Sequence, residues 1–459
     1  MSETSESRSG RRTAYPIAES IPQEALDAEV AALEALAARP WPTRIWGYVR
    51  LGGPGFMGAA LTLGAGSLTS AMLSGARFGY KTMWITWLFV GVGVFMLAAM
   101  VRFTCKGGFR VIQEQNRRHG RFIGSFLTGL IGCLAVAMIF NAGQVSLGVH
   151  LLESLAGFSG VPLAKWVAVA VYGGLTSWIL LSYGRGGRRG TRAVETVMKA
   201  CIGLMLVAFG VSLALVGVDW AAALEGLFVP WLPEGGDDIY LVIASSASAV
   251  GVMDWVFLHY AGLARGWGEK HEALGRMDIG MGLFLPFVVV NLLVVALFAG
   301  TFYTPGLDAP GTAPELAAAL APLLGARGAE VLFYLGFLAV PISTTVGMSL
   351  AGAMAAHEAL GWEPDVRSWR WKAVLLLPQV GLIGAWAANP IWLIITIAAF
   401  LSLSGNVVGW SMYLLLNDPE VMGEHRCRSY VWNLGILLGI TLLNAVAIVY
   451  VMNRFGWWF

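Results

Sequence analysis

Asp254 lies inside residues 239–264, an apolar run long enough to cross a bilayer. A carboxylate at that depth costs of order 3 kcal/mol or more on insertion scales and reads as functional by default. It can ligate a cation, accept hydroxyls or carry a proton. A structural ion pair with Lys199 or an arginine is the alternative use. His259 stands five residues on, roughly on the same helix face, and an imidazole titrates near neutrality, so it could relay a proton; packing is an equally open role for it. Trp255 supplies an aromatic face beside the carboxylate. The other polar groups that could meet Asp254 are neutral: Thr62, Ser67, Thr69, Asn141, Gln144 and Ser248. Asn141 and Gln144 are spaced i,i+3 and share a helix face; hydrogen-bonded glue between helices is their other reading. Ser343-Thr344-Thr345 could line an ion or substrate path, though back-bonding to the preceding helical turn is the favoured reading. One carboxylate, several hydroxyls and amides, and an indole wall match a polyhydroxylated solute such as a hexose. The carboxylate would accept two sugar hydroxyls, and the indole would pack on the apolar face of the ring.

These residues must be held by membrane helices. The chain has 459 residues, 57% hydrophobic and 13% charged, the composition of a polytopic membrane protein rather than a soluble enzyme. About eleven runs are long enough to span, at 50–76, 81–104, 123–155, 162–183, 193–217, 239–264, 278–303, 328–357, 372–388, 390–415 and 429–453. The first is interrupted by Gly64-Ala65-Gly66-Ser67. Unwound backbone is tolerated at membrane depth only where it is buried or lines a cavity, and discontinuous helices point to a transporter's binding site. Residues 1–45 read as a partly disordered cytoplasmic tail with a short amphipathic helix over Ser20–Ala38, and residues 46–459 as the transporter domain. Basic residues crowd alternate loops, for instance Lys106 to Arg121 and Arg185 to Arg192. That bias places the N-terminus inside and the C-terminus outside a bacterial-type plasma membrane. A net charge of +2 implies no nucleic-acid partner. No phosphate-cradling loop or hydrolase spacing stands out, so neither an enzyme nor a cofactor is expected. The four cysteines show no metal-binding spacing.

The segment Gly53–Lys81, GPGFMGAALTLGAGSLTSAMLSGARFGYK, resembles the first membrane helix of the Nramp metal-ion transporters without a gap. In that family the break reads Asp-Pro-Gly-Asn, and the Asp and Asn grip the metal; here those positions are Gly64 and Ser67. The sixth span, Val252-Met253-Asp254-Trp255-Val256-Phe257-Leu258-His259, is similar to the family's Met-Pro-His-Asn-Leu-Tyr-Leu-His. Val252 then stands at the metal-binding Met, Asp254 at the first His, and Ala249 where the family's carbonyl donor sits. The family's proton-linked acidic residues of the third span fall at Asn141 and Gln144. The resemblance covers residues 45 to 455. It implies an all-α, leucine-transporter-like (LeuT) fold: two inverted five-helix repeats plus an eleventh helix, with the first and sixth helices unwound at the midplane. Nramp-related branches without the metal ligands include magnesium carriers and a bacterial branch linked to glucose. Magnesium branches keep acidic character on the first helix, which this chain lacks.

The resulting expectation is a secondary transporter of a monosaccharide such as glucose, working by alternating access and coupled to protons, and not a carrier of transition metals. Asp254 would be both ligand and proton carrier, with His259 in the coupling path. Substrate contacts are expected from Gly64, Ser67, Thr69, Asn141, Gln144, Ala249, Asp254 and Trp255. An amino-acid carrier stays open, with the backbone amides of Gly64-Ala65-Gly66 taking the substrate carboxylate and Asp254 its amine. So does Mg²⁺ transport through a partly hydrated site.

Overall fold

The computed structural model describes residues 15–19, 21–157, 163–234, 251–304, 327–386 and 405–454, with isolated positions between them. All regular structure among the described residues is helical. A single helical turn, Pro16–Glu19, and two longer helices, α1 (Gln23–Ala37) and α2 (Trp41–Leu51), precede the first span.

That span is divided. Its lower half, α3 (Pro54–Thr62), opens on a proline, which suits the first helical turn because no N–H is needed there. Leu63 leaves helical geometry at φ −74°, ψ 66°, and Gly64 is extended at φ −104°, ψ 178°. The upper half, α4 (Ala65–Phe78), then resumes. After a tight turn come α5 (Met83–Arg102), ending in a wide π-type turn over Phe103–Gly107, and the short α6 (Val111–His119). The third span starts as a π-type stretch, Phe122–Ala135, and continues as α7 (Val136–Gly157). Next are α8 (Lys165–Ser182), α9 (Arg188–Val216) and α10 (Trp220–Phe228), the last capped by Asp219.

Of the sixth span, the described half is α11 (Val252–Ala264). It is followed by α12 (Glu272–Asp278), which runs through a π-type turn into α13 (Leu285–Phe302), and by α14 (Arg327–Ala359). The ninth, expected over 372–388, is α-helical only in α15 (Trp369–Leu376) and tightens to a 3₁₀ coil over Leu377–Trp386. Glycines let that coil press on α7: a Cβ at Gly384 would sit 2.2 Å from the Ala142 carbonyl oxygen. Residues 405–417 are helical, and α16 (Tyr430–Arg454) closes the described chain.

Six continuous helical stretches among the described residues are long and apolar enough to cross a membrane. The most enclosed is α14, with 78% of its apolar window buried, so it is the central post of the bundle. Lipid tails are as apolar as leucine and give no hydrophobic drive for helices to associate, so close packing of small residues must hold them. Gly336 provides it against α9, where an added Cβ would come 2.2 Å from Ala208 Cβ, and Gly347 against α3, 2.8 Å from Leu61 Cβ.

Gly336→Val is therefore expected to destabilise the protein by about 1–3 kcal/mol, the usual cost of overpacking. Gly210→Val on α9, where nothing lies within 4 Å, is the control. Thermal unfolding of the detergent-solubilised chain checks this: a lower Tm for the first variant only.

Candidate functional site

The break between α3 and α4 leaves backbone groups outside the helical ladder, and side chains meet several of them. The Gly64 N–H donates to Ser67 Oγ at 3.1 Å, and the Ser67 hydroxyl lies 2.9 Å from the Thr62 carbonyl oxygen. The Ala65 N–H donates to Gln144 Oε1 of α7 at 2.9 Å. The Thr344 hydroxyl of α14 reaches across to the carbonyl oxygens of Ala60 and Leu63, at 2.9 and 3.0 Å. Thr62 turns back on α3, 3.0 Å from the Ala59 carbonyl oxygen.

Gly64 itself is crowded: a Cβ there would stand 2.9 Å from Thr344 Cγ2 and 3.0 Å from Gln144 Nε2, so a side chain would need those two to give way. The amides of Gly64 and Ala65, considered above as a cradle for a substrate carboxylate, are thus engaged within the protein.

Although Asn141 and Gln144 share a helix, they serve different neighbours. Asn141 donates to the Pro378 carbonyl oxygen at 2.7 Å and accepts from the Thr345 hydroxyl at 2.6 Å. The Tyr172 hydroxyl of α8 lies 2.8 Å from both Thr345 Oγ1 and the Pro341 carbonyl oxygen, completing a buried polar chain across four elements. Of the Ser343-Thr344-Thr345 cluster, Ser343 bonds the preceding turn, at 3.1 Å from the Val340 carbonyl oxygen. The two threonines instead reach other helices, which back-bonding did not anticipate. Nothing in their spacing signals this; only the packing of α14 does.

Asp254 occupies the first turn of α11, 2% exposed, and its Oδ1 has no hydrogen-bond partner among the described residues. Lys199 does not pair with it: the ammonium donates to the carbonyl oxygens of Gly52 and Val49, at 2.7 and 3.2 Å. α3 and α11 run antiparallel. Gly53, just before α3, lies against Arg265, just after α11, and Gly58 faces Leu258. Four residues onward in one and four back in the other bring Thr62 and Asp254 to the same depth, about 6 Å above that contact. The buried carboxylate and the break are therefore level. Thr69, one turn into α4, is fully buried, and its hydroxyl has no partner among the described residues.

The Trp255 ring is also fully buried, packed near Gly409, where an added Cβ would lie 3.3 Å from the indole. Both nitrogens of His259 are engaged. Nε2 accepts from the Val111 N–H at 3.2 Å, and Nδ1 lies 2.8 Å from Thr104 Oγ1, which in turn donates to the Met100 carbonyl oxygen. These bonds describe a neutral imidazole with its proton on Nδ1, tying α11 to α5 and α6. A proton relay through it has to break the Val111 contact. Ser248 and Ala249 lie outside the described residues.

Sequence reasoning missed Asp278. It is 3% exposed, and its carboxylate accepts from the Gly55 N–H at 2.6 Å, capping the first turn of α3 from the start of the seventh span. Its one available signal was a lone acid at the edge of an apolar run.

A family model described as natural resistance-associated macrophage protein-like matches residues 55–452. The chain belongs to the Nramp family. A divalent metal cation transporter MntH of Acidiphilium cryptum is 24% identical over 420 residues, covering 88% of this chain and 90% of that one. The MntH of Deinococcus radiodurans is 27% identical over 379 residues, 78% and 79% of the two chains. Among solved structures, an Eremococcus coleocola manganese transporter superposes with a TM-score of 0.73 at 16% identity, over 91% of this chain and 89% of that one. MhsT bound to L-phenylalanine follows at 0.58 and 15%, over 87% and 98%. This Nramp member thus has the leucine-transporter-like fold expected of it and is an integral membrane protein.

The names of these relatives, divalent metal cation and manganese transporters, overturn the monosaccharide expectation and the exclusion of transition metals. The physical reason is visible at the site. Ser67, Asn141 and Gln144, read as hydroxyl and amide groups for a sugar, are bonded to backbone and neighbouring side chains.

Gln144→Leu should leave the Ala65 N–H buried and unpaired, a loss of about 1–3 kcal/mol. Gln144→Glu keeps the acceptor but buries a further carboxyl at bilayer depth, so it should also melt below the native protein at neutral pH, and the gap should narrow as the pH falls and the carboxyl is protonated. Thermal unfolding of both variants provides the check.

Proposed function

We propose that this Nramp member is a secondary transporter that moves a divalent metal cation by alternating access, with Asp254 as the carboxylate that meets the cargo. The reading takes its cargo class from the relatives, and the observation that carries it is the buried, unpartnered Asp254 oxygen level with the break. A carboxylate at bilayer depth with one oxygen left without a partner among the described residues is costly, and a cation is a partner that removes the cost.

The donors around it are oxygens. The Thr344 hydroxyl takes one lone pair of each of the Ala60 and Leu63 carbonyls and leaves the second, and Thr69 adds a hydroxyl. Carboxylate, carbonyl and water suit Mn²⁺ and Mg²⁺ alike, and a cation that keeps part of its water shell needs few protein ligands. Substitution at Gly64, Ser67 and Val252 thus removes carboxylate, amide and thioether ligands without removing oxygen coordination. Among the described residues no group of three or more His, Cys, Asp or Glu side chains could hold a metal ion. That pattern fits a cargo bound loosely in transit. A carboxylate binds metal only when deprotonated, so cation and proton compete for Asp254.

His259 is assigned to positioning: through Val111 and Thr104 it fixes the helix that carries Asp254. Orientation follows the basic loops, with the N-terminus and the Lys106–Arg121 and Arg185–Arg192 loops in the cytoplasm.

The test is uptake of Mn²⁺ and Mg²⁺ into proteoliposomes at several external pH values, beside Asp254→Asn. Saturable uptake of either ion is expected, falling as pH drops and reduced at least about tenfold in the variant. Uptake of neither ion, or an unaffected variant, would sink the reading.

A further inference from the structure

Residues 15–37 precede the family match, yet they are tightly seated: Tyr15, Ile17, Glu29 and Leu33 are each no more than 6% exposed. The Glu29 carboxylate enters a pocket lined by Arg188, Arg192, Arg265 and His271. It forms an ion pair with Arg188, and the other three stand at 4.0, 3.9 and 3.9 Å. Arg188 also donates to the Ala25 carbonyl oxygen at 3.0 Å. At the other end of the segment, the Tyr15 ring lies 5.6 Å from that of Tyr260 on α11 and 5.4 Å from the Arg110 guanidinium. Arg110 in turn pairs with Glu358 of α14 at 3.3 Å. The segment therefore touches α9, α11 and the end of α14 through Arg110.

Charge shows that this pocket is built for a carboxylate. Three guanidiniums and an imidazole converge there, with Glu195 as the other acid, 3.4 Å from Arg265. Buried charges need partners, and removing one of a pair leaves the rest uncompensated. Arg265 is shared between Glu29 and Glu195, and the Arg265–Glu195 pair rests on Gly53, where even a Cβ would come 2.5 Å from both side chains. Within the next two residues Asp278 caps Gly55, and beside Gly53 Lys199 holds the Gly52 carbonyl. The entrance to α3 is thus fixed by a polar cluster whose outermost member, Glu29, arrives from the N-terminal segment.

We propose that residues 15–37 are an intramolecular ligand of the basic face, seated by Glu29 in the Arg188–Arg192–Arg265–His271 pocket and by Tyr15 on Tyr260, and that this seating holds the first turn of α3 in place. Release of the segment frees α3 to move. The consequence for transport rests on the alternating-access reading above; the seating and its hold on α3 do not.

Amide hydrogen exchange on the full chain in lipid tests this without reference to any cargo. Glu29→Gln should speed exchange at least about tenfold across α1 and in the first turn of α3, while Glu29→Asp stays within about threefold of native. Amides of α14 should be unchanged in both, which marks a folded variant. Should Glu29→Gln loosen α14 as well, Tyr15→Ala probes the other end of the segment and is expected to speed α3 likewise. The proposal is overturned if α1 exchanges faster while α3 does not, or if neither responds in the variant that keeps α14 native.

Discussion

Backbone that leaves helical geometry inside a bilayer must find its hydrogen bonds within the protein, since lipid offers none. The centre of this molecule is organised by that requirement at residues 62–65. Ser67 serves the break from its own helix, Gln144 from α7 and Thr344 from α14. For Thr344 to span the gap, α14 must lie against α3 closely enough that Gly347 meets Leu61 without a side chain between them. α7 is pressed from its other side by the coil over Leu377–Trp386, whose glycines allow that approach. Tight packing in the core of the bundle is thus set by the polar demands of two or three peptide units.

The apolar runs and the position of the break were legible in the sequence because both are local: length and hydropathy mark a span, and glycines mark where it can unwind. The partners of the polar residues were not. Asn141 and Gln144 fall on one helix face by spacing, but one bonds Pro378 and Thr345 and the other the Ala65 amide, a choice made by tertiary packing. The same blindness led residue types towards a sugar. Hydroxyls and amides count as ligand groups only if they are not already consumed, and consumption cannot be read from a pattern. Asp254 was legible, because a carboxylate in an apolar run is conspicuous wherever it points.

Loss of familiar ligands was also read too strictly. Replacing thioether and carboxylate donors changes which cations a site favours, yet backbone carbonyls at a broken helix survive any change of side chain. The N-terminal segment teaches a related lesson. It reads as a partly disordered tail with a short amphipathic helix, and Glu29 is buried because the basic cluster it meets comes from distant helices.

The crowding at Gly64 has an evolutionary consequence. The resemblance read from the sequence puts an acidic side chain at this position, and here the Thr344 methyl and the Gln144 amide stand 2.9 and 3.0 Å from where its Cβ would be. A single reversion at Gly64 would first meet a clash and disturb the partners of Leu63 and Ala65, before any gain in metal binding. Neighbouring substitutions of this kind are strongly non-additive. An acidic side chain at Gly64 would therefore depend on what stands at 144 and 344, so the three positions act as one unit for any change of the site.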